Sequence, residues 1–449
     1  MRSSSTIYAL SSGQGRAAVA VVRVSGPDAC RVLDLMAGGC PPPRQAALRR
    51  LRHPSSGDLL DEALVLWFPG PRSETGEDLA ELQAHGGRAV VRAILDALGG
   101  IAGCRLAEPG EFARRAFEYG KLDLTRVEGL ADLIDAETEA QRRQAVRQAG
   151  GAAARICDAW RGQLVEALAL VEAAIDFADE PDVAGDAIGR ALAGVRRVGE
   201  EISLHLAADL NGEIIRDGFQ VVIAGAPNVG KSSLFNLLAA RDVAIVSDEA
   251  GTTRDVLQVR LDLGGLLVVL SDTAGIRAGA GKVEAEGIRR ARVELDRADL
   301  VLLVHDASRA DAAGSAPGLE ETPPGRMLRV YNKIDLPVAA PVPADAGSIG
   351  VSAITGAGLP ELLRRIATEA RDRLAGAEPG LITQARHRAH LAACAQALAQ
   401  ALALPRVVER PELLAEDIRR GVDAIGRITG RVGAEEILGQ IFARFCIGK

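Results

Sequence analysis

The sequence predicts a multidomain α/β protein, in which a domain with a mostly parallel sheet is inserted into a discontinuous α-helical bundle domain that follows an N-terminal α+β domain. The chain has 449 residues, enough for roughly two to four domains. Strand-like apolar runs alternate with helical patterns in its second half, and apolar stripes at helical spacing stand on both sides of them. The expected boundaries are 1–120 for the α+β domain, 121–214 and 372–449 for the two parts of the helical domain, and 215–371 for the inserted domain.

The composition is that of a folded globular protein, with 48% hydrophobic and 25% charged residues. No run approaches the about 18 apolar residues that cross a bilayer, and Met1 to Gly15 lacks the charged start and apolar core of a signal peptide. We therefore expect a cytoplasmic protein with no membrane partner. The net charge of −7 argues against coating nucleic acid by bulk charge, although a local basic patch remains compatible with RNA.

The cysteines are scattered along the chain without a C-x-x-C pair, which predicts neither a disulfide framework nor a zinc ribbon. They are Cys30, Cys40, Cys104, Cys157, Cys394 and Cys446. We expect reduced thiols.

The N-terminal region mixes β-rich runs at Val19–Val24 and Leu64–Phe68 with a helical pattern over Ala89–Leu98. Two strands and a helix of this kind, separated by turn clusters, are typical of an α+β domain.

Helical patterns flank the inserted domain. Thr125 and Glu128 fit a capping box, which predicts that a long helix begins at Thr125. Two further apolar stripes repeat every three or four residues and predict bundle helices. They are Ile156, Trp160, Leu164, Leu168, Val171 and Ile175, then Ile188, Leu192, Val195, Val198, Ile202 and Leu206. Helical sequence returns over Leu391–Leu404, Leu413–Ile428 and Ala434–Phe445, so helices from both sides should pack together.

The inserted domain shows five apolar runs that predict strands of a mostly parallel sheet with flanking helices. They are Phe219–Ala224, Leu266–Ser271, Leu300–His305, Met327–Tyr331 and Ile349–Ser352.

A phosphate-binding loop follows the first of these runs. Residues 225–232 read Gly-Ala-Pro-Asn-Val-Gly-Lys-Ser and precede a helical pattern, which is the strand–loop–helix context that the motif requires. Glycines let backbone N–H groups turn toward phosphates, Lys231 neutralises β- and γ-oxygens, and the Ser232 hydroxyl reaches Mg²⁺.

Three further motifs follow strand-like runs. Asp272 begins an Asp-Thr-Ala-Gly motif; its carboxylate can hold Mg²⁺ and the Gly275 N–H can sense a γ-phosphate. Asn332-Lys333-Ile-Asp335 ends a later run, and the Asp335 carboxylate can accept two N–H bonds that guanine offers and adenine does not. Ser352-Ala353 ends the last run. Four ordered motifs of this kind resemble those of the Ras-like superfamily of regulatory GTPases, and the resemblance covers the inserted domain.

That resemblance implies a GTP-binding set in the phosphate loop, the switch I segment, the Asp-Thr-Ala-Gly motif and the base-selecting motifs. In this sequence the set comprises Asn228, Val229, Gly230, Lys231, Ser232, Ser233, Ser247, Asp248, Glu249, Ala250, Gly251, Thr252, Thr253, Asp272, Thr273, Ala274, Gly275, Asn332, Lys333, Asp335, Ser352 and Ala353. The Mg²⁺ ligands would be Ser232, Thr253 and Asp272.

The water-orienting glutamine of Ras and Gα enzymes is replaced by Ile276. Glu284 is the best candidate to position the attacking water, directly or through a second water, and the alternative is a solvated loop carboxylate. The expected catalytic residues are therefore Glu284, Asn228 and Lys231.

Asn228 in the loop, together with Gly251-Thr-Thr-Arg-Asp255, resembles the potassium-activated GTPases. There a monovalent cation takes the place of an arginine finger beside the phosphates. The implied K⁺ ligands are Asn228, Thr252 and the backbone carbonyls of Ser247 and Glu249.

Motifs outside the inserted domain extend the resemblance to the whole chain. They are Val21-Val-Arg-Val-Ser-Gly26, Thr75-Gly-Glu-Asp78, Glu81-Leu-Gln-Ala-His-Gly-Gly87, Gly120-Lys-Leu-Asp-Leu124 and the ending Phe445-Cys-Ile-Gly-Lys449. Together they resemble the family of tRNA-modification GTPases called MnmE or TrmE.

The family resemblance implies a tetrahydrofolate one-carbon donor, in its 5-formyl or 5,10-methylene form, and a homodimer made through the N-terminal domain. It also implies a heterotetramer with the FAD-dependent MnmG (GidA) subunit, which modifies C5 of the wobble uridine, U34, in tRNA. Arg23, Lys121 and Lys449 could meet carboxylate or carbonyl groups of a folate, and Glu81 could accept its pterin N–H groups.

Alternatives remain open at this point. A GTP-dependent ribosome-assembly switch that binds rRNA shares the phosphate loop and the Gly-Thr-Thr-Arg-Asp element, but the sequence shows neither the KH-like nor the second GTPase domain expected with it. Cys446 is either a reactive thiol beside the folate or a small buried residue. The nitrogen donor, glycine or ammonia, is undetermined.

Overall fold

The computed structural model describes most of the chain. The described residues are 5–13, 15–176, 181–208, 210–241, 243–245, 258–272, 293–309, 326–345, 347–374, 383–404, 410–433, 435–442, 445 and 448. Two compact units are present, one made of Met1–Ala131, Gln148–Ala191 and Leu404–Lys449, the other of Asp132–Arg147 and Leu192–Ala403.

The first unit contains a six-stranded sheet in the order β3-β4-β5-β2-β1-β6. Its strands are β1 (Thr6–Leu10), β2 (Val19–Ser25), β3 (Ala47–Arg52), β4 (Leu59–Phe68), β5 (Leu79–His85) and β6 (Cys104–Leu106). Among the described strands of this sheet, β1 and β6 pair in parallel and all other neighbours pair antiparallel. The predicted runs at the start of the chain therefore form β2 and the second half of β4.

Two helices cover one face of this sheet, α1 (Ala29–Ala37) and α2 (Arg88–Gly99). Val22 and Leu82 alternate with outward-facing neighbours along their strands and pack in a buried core with Leu33 and Ile94 of the helices. This alternation with a period of two is what places one side of each strand in the core. The α+β prediction is confirmed for this region.

The first bundle helix begins one residue earlier than the capping box predicts. Asp123, not Thr125, supplies the cap, because its Oδ1 accepts the backbone N–H groups of Thr125 and Arg126 at 2.9 and 3.2 Å. A carboxylate ahead of the first turn satisfies free N–H groups as well as a threonine hydroxyl does. The helix ends at Ile134, so the expected long helix is shorter than predicted.

The helices after the N-terminal sheet follow the predicted stripes. They are α3 (Glu111–Glu118), α4 (Leu124–Ile134), α5 (Glu139–Ala149), α6 (Ala152–Asp176), α7 (Pro181–Ala208) and α8 (Leu210–Asp217), and later α11 (Ala385–Ala403), α12 (Pro411–Thr429) and α13 (Glu435–Phe442). In the first unit α6 packs against α12. A helix from before the inserted sheet thus contacts one from after it, as the helical patterns on both sides of the inserted domain predict. Buried Leu164 and Ile418 belong to these two helices.

The second unit contains a seven-stranded sheet in the order β13-β12-β11-β7-β10-β9-β8. Its strands are β7 (Phe219–Gly225), β8 (Ala244–Ile245), β9 (Gln258–Asp262), β10 (Leu267–Asp272), β11 (Leu300–Asp306), β12 (Met327–Asn332) and β13 (Ser348–Val351). The five strands that the apolar runs predict are mutually parallel, and β8 and β9 extend the edge in antiparallel pairing. Helices α9 (Lys231–Ala239) and α10 (Leu359–Leu374) bury Leu234 and Leu362 against this sheet. The expected mostly parallel sheet is confirmed.

The expectation of reduced thiols is wrong for Cys30 and Cys40, which form a disulfide with a Cα–Cα distance of 5.9 Å. Gly38 and Gly39, with φ of 71° and 124°, turn the chain back after α1 and bring Cys40 beside the helix. Glycine takes this left-handed backbone conformation without a steric cost, so two cysteines ten residues apart in sequence can come close enough to bond. Of the other cysteines that the structure describes, Cys104, Cys157 and Cys394 form no disulfide.

Among the described residues, every helix is too short or too polar to span a bilayer.

Candidate nucleotide-binding and catalytic site

The predicted nucleotide motifs meet at one edge of the seven-stranded sheet. Strands β7, β10, β11, β12 and β13 run parallel, so their carboxyl ends lie along the same edge. Ligands of open α/β sheets bind at that edge, in the crevice outside the strand ends.

The phosphate loop has a backbone that only particular residues can adopt. Gly225 ends β7 with φ of 146°, and Gly230, with φ of 96°, is the N-cap of α9. A Cβ atom at Gly225 would collide with the carbonyl of Val304, and one at Gly230 with the side-chain amide of Asn332. Asn228, at φ of 64°, also takes the left-handed conformation. The loop is therefore pressed against β11 and β12 and held in a curved form.

Lys231 lies at the mouth of this loop and is buried. Its Nζ donates hydrogen bonds to the carbonyls of Gly225 and Ala226, at 3.0 and 2.8 Å. These bonds place the ammonium group at the N-terminus of α9, where the helix dipole also favours an anion. The loop thus presents fixed positive charge to a phosphate chain.

Ser232 and Asp272 face each other across the loop and the end of β10. The Ser232 hydroxyl donates a hydrogen bond of 3.1 Å to Asp272 Oδ2, and Asp272 is buried. A hydroxyl and a carboxylate are the oxygen donors that Mg²⁺ binds in such sites, often with waters completing the shell. These two residues fit a magnesium ion.

Asn332, one of the predicted nucleotide-binding residues, joins two loops through its side-chain amide. Its Nδ2 donates to the carbonyl of Val229 at 2.9 Å, and its Oδ1 accepts the backbone N–H of Ala353 at 3.0 Å. Ser352 is buried, and its Oγ accepts N–H bonds from Ile354 and Thr355. Asn332 therefore holds the base-selecting loop against the phosphate loop.

Lys333 forms a contact that the sequence interpretation missed. Its Nζ donates to Asp306 Oδ2 at 2.6 Å and to the carbonyl of Asn228 at 3.0 Å. Burial acts to raise the pKa of the Asp306 carboxyl, but hydrogen bonds from Lys333 and Ser308 outweigh it, so that pKa lies below its ordinary value. The position of Asp306 at the end of β11, next to the other strand-end motifs, was the available signal.

Asp335 is exposed two residues beyond Lys333, at the same sheet edge. Its carboxylate is free to face a base, whereas the carboxylate of Asp272 is buried at the phosphate end. Val229 is buried, while Asn228, Ser232 and Ser233 are exposed along the loop.

Several predicted site residues lie outside the described part of the chain. They are Ser247, Asp248, Glu249, Ala250, Gly251, Thr252, Thr253, Thr273, Ala274, Gly275, Glu284, Cys446 and Lys449. Of the predicted K⁺ ligands the structure therefore places Asn228, and of the Mg²⁺ ligands Ser232 and Asp272.

Two of the four predicted folate residues meet on the six-stranded sheet. Arg23 Nε donates to Glu81 Oε1 at 3.0 Å across β2 and β5, and Arg23 also pairs with Glu74 at 3.0 Å. Both side chains of the Arg23–Glu81 pair are largely but not fully buried, at 23% and 15% exposure. Lys121 is half-buried after α3, and within the described residues no hydrogen bond or ion pair joins its side chain to this pair.

The end of the chain lies against the same sheet. Ser11 Oγ donates to the carbonyl of Gly448 at 2.8 Å, and the Ser11 N–H bonds the carbonyl of Val21 in β2. Gly448 has φ of 102° and no room for a Cβ beside Leu10. The residue before Lys449 is therefore held next to the strand that carries Arg23.

Comparisons with known proteins cover the whole chain. A family model described as "GTP-binding protein TrmE N-terminus" matches residues 6–121, and one described as "MnmE helical domain" matches residues 124–446. A tRNA modification GTPase MnmE of Methylorubrum populi is 53% identical over 99% of this chain and 98% of its own length. Proteins with the same description from Parvibaculum lavamentivorans and Rhodopseudomonas palustris are 51% and 50% identical, over 99% and 100% of this chain and 100% and 99% of their own lengths.

Proposed function

The chain belongs to the MnmE family and is a GTPase of tRNA modification, and on this premise we propose that it hydrolyses GTP to drive aminomethyl-type modification of C5 of the wobble uridine with a tetrahydrofolate one-carbon donor. Its partners in this proposal are tRNA and the FAD-dependent MnmG subunit. GTP hydrolysis depends on K⁺ and on association of two G domains.

One observation carries the nucleotide part of the proposal: the phosphate loop, Asp272 and the Asn332–Lys333 pair are joined by direct hydrogen bonds at one sheet edge. A site for GTP needs fixed positive charge and a metal-binding pair of oxygens at the phosphate end, and a base-selecting carboxylate at the other end. Lys231, Ser232 with Asp272, and the exposed Asp335 supply them.

The chain's own groups perform positioning and charge stabilisation. Lys231 meets β- and γ-phosphate oxygens, where its compact ammonium neutralises charge that grows as the terminal phosphoryl group transfers. Ser232 and Asp272 would hold Mg²⁺, which would supply positive charge that neutralises the phosphates. Glu284 positions the attacking water, because Ile276 has no polar group for that role. Thr253 completes the metal site in this proposal.

Asn228 supports the potassium proposal. Its carbonyl accepts the Lys333 ammonium, its backbone is held at a φ of 64°, and its exposed side chain stands on the loop, free for a cation between loop and phosphates. Thr252 and the carbonyls of Ser247 and Glu249 complete the expected ligands. Hydrolysis measured in KCl and NaCl at equal ionic strength tests this role, and equal rates would refute it.

Arg23 and Glu81 support the folate proposal. A guanidinium and a carboxylate in one partly exposed pair can meet the carbonyl and the N–H donors of a pterin edge. The contact of Gly448 with Ser11, at the end of the strand that pairs with β2, supports the inclusion of the C-terminal segment in this proposal. A homodimer through the N-terminal domain would enclose this face.

Mass spectrometry of wobble uridines tests the complete proposal. Deletion of the gene should remove the C5-modified nucleosides from tRNA, and the wild-type gene should restore them where a K231A gene does not. An unchanged tRNA nucleoside profile, with defective ribosomal subunits instead, would contradict the proposal and favour the ribosome-assembly alternative.

A further inference from the structure

The face of the six-stranded sheet opposite α1 and α2 is partly exposed beside the predicted folate residues. Along β5, Ala80, Leu82 and Ala84 are buried under the helices, whereas Glu81, Gln83 and His85 point to the opposite side. Because side chains alternate along a strand, these three share one face with the outward residues of β2. That face carries polar groups of the kind that bind and act on a small molecule.

His85 ends this row and is held by a carboxylate of β4. Its ring Nδ1 lies 2.8 Å from Asp61 Oδ1, and its backbone N–H donates to Asp61 Oδ2, also at 2.8 Å. The imidazole is 72% exposed, whereas the Asp61 side chain is 12% exposed. One carboxylate therefore fixes both the main chain and the ring of the same histidine.

The protonation of Asp61 determines the ring tautomer. Burial acts to raise the pKa of this carboxyl, but hydrogen bonds from the backbone and ring of His85 outweigh it, and the pKa is lowered. An ionised carboxylate can only accept hydrogen bonds, so Nδ1 carries the hydrogen of the contact. The other ring nitrogen, Nε2, is left facing outward.

The hydrogen bond between the His85 ring and Asp61 is not needed to hold the backbone after His85, because backbone hydrogen bonds already do so. Gly86 accepts the backbone N–H of Ala17 at 3.2 Å and donates its own N–H to Ala18 at 3.3 Å. The backbone N–H of His85 already bonds Asp61. The exposed imidazole therefore adds little to the structure, although Asp61 orients it through the hydrogen bond at Nδ1.

His85 lies within reach of a folate-sized molecule bound at Arg23 and Glu81. Arg23 pairs with Glu81 and Val19 with His85 in the β2–β5 ladder, so the two positions are separated by four residues, about 13 Å along the strand. Gly448 lies at the end of β1, where Ser11 bonds both Gly448 and Val21 of β2.

From this arrangement we propose that His85, oriented by Asp61, is the proton-transfer residue of the one-carbon step on this face. The inference rests on the proposed folate function and adds to it the residue that moves the proton. Asp61 is a positioning residue, since it acts through the imidazole.

For the 5,10-methylene form of the donor, His85 acts as the imidazolium, with hydrogens on both ring nitrogens, and gives the Nε2 proton to the nitrogen that leaves the one-carbon unit. The bond between that nitrogen and the one-carbon unit breaks, and its electron pair stays on the nitrogen and takes the proton. The lone pair of the donor's other nitrogen then forms a second bond to the same carbon. The positive charge of the imidazolium thus moves to the donor, and no oxidant or reductant is needed. Solvent then returns a proton to the exposed ring.

The test uses the full-length protein reconstituted with its FAD-dependent partner, tRNA and 5,10-methylenetetrahydrofolate. Single-turnover formation of the modified wobble uridine is measured for H85N and D61N, together with calorimetric folate binding by each variant. H53N is the matched control, because His53 lies in the same domain and accepts N–H bonds from Ser55 and Ser56 in a surface turn. We expect H85N to slow the step by about 10²-fold or more without a change in the folate dissociation constant, D61N to slow it less, and H53N to behave as wild type.

A spectroscopic measurement separates orientation from general structural damage. The chain has six histidines, so ¹⁵N-histidine NMR resolves the ring tautomers. D61N should reduce the Nδ1–H form at His85 and leave His53 unchanged. An unaltered His85 tautomer in D61N would contradict the positioning role.

The remaining outcomes are distinct. If the wild type requires folate and H85N reacts at the wild-type rate, or loses folate affinity in proportion to its rate, the proton-transfer role is overturned while the folate function stands. If the wild type neither binds folate nor needs it for the modification, the proposed folate function fails and this inference fails with it.

Discussion

The Ser232 hydroxyl donates a 3.1 Å hydrogen bond to the buried carboxylate of Asp272 and so joins the phosphate loop to the end of β10. The two residues are 40 positions apart in sequence. Their contact places two hard oxygen donors at one point before a metal binds, so little rearrangement is needed for Mg²⁺ to enter.

Replacement of this hydroxyl should weaken Mg²⁺ use. In S232A one oxygen donor is lost, together with its hydrogen bond to Asp272, so we expect the Mg²⁺ concentration for half-maximal GTP hydrolysis to rise by about 10–100-fold. Hydrolysis is measured over a Mg²⁺ titration. T368A, which removes an exposed hydroxyl on α10 that bonds a helix carbonyl, is the control. An unchanged Mg²⁺ requirement in S232A would argue against this metal site.

Removal of the Asp306 charge should loosen the base-selecting loop. Lys333 bonds both Asp306 and the Asn228 carbonyl, so D306N leaves its ammonium with one of two anchors. We expect GDP affinity to fall roughly tenfold, which corresponds to about 1.4 kcal/mol. The affinity is measured with a fluorescent nucleotide. D345N is the matched control, since Asp345 pairs with exposed Arg329 at 3.8 Å; equal losses in both variants would remove the special role of Asp306.

The N-terminal domain should lose stability in acid through Glu111. Burial acts to raise the pKa of this carboxyl, but hydrogen bonds from Arg105, the Glu108 N–H and Arg115 lower it from 4.5 to about 2. Because the folded-state pKa lies below the ordinary value, the carboxylate stabilises the fold above about pH 4.5, and this contribution is lost as the pH falls toward 2.

E111Q should therefore flatten the acid dependence of the unfolding free energy over that range. It should also lower stability at pH 7 by about 3 kcal/mol, because it removes one carboxylate partner of buried Arg115. Chemical denaturation at several pH values measures both effects. E108Q, at an exposed carboxylate, is the control. The account of this network would be wrong if the two variants had the same pH profile.

Loss of the Arg23 guanidinium should weaken folate binding. R23A frees Glu81 and removes a donor that can reach a carbonyl, so we expect the dissociation constant for tetrahydrofolate to rise at least about tenfold. Calorimetry with the full chain provides the measurement. R92A removes a solvent-exposed arginine that pairs with Asp96 on α2 and should bind folate as wild type does.

Much of the nucleotide site was predictable from the sequence. The runs before the phosphate loop and before Asp272 predict where β7 and β10 end, because the apolar pattern and the motif agree there. The roles within the site were less predictable. Asn332 joins two loops, and Asp306 pairs with Lys333. The sequence does not indicate these contacts, because they depend on which strand ends become neighbours in the sheet.

Contacts in the first unit show the same limit. Asp123 rather than Thr125 caps α4, since both residue types cap helices and the choice depends on one backbone turn. The Cys30–Cys40 disulfide depends on the turn at Gly38, and no spacing rule indicates it. Asp61 and His85 are 24 positions apart, and only the β4–β5 pairing brings them together.

The most direct measurement changes the base specificity of the pocket and follows the effect to tRNA. In D335N the side-chain oxygen can still accept the N1–H of a purine, but the amide N–H now suits the C2 carbonyl of xanthine rather than the amino group of guanine. We predict that reconstituted wobble-uridine modification by D335N proceeds with XTP and fails with equal GTP, while the wild type shows the reverse. Modification by D335N that is indifferent to the nucleotide would contradict the claim that hydrolysis in this pocket drives the reaction on tRNA.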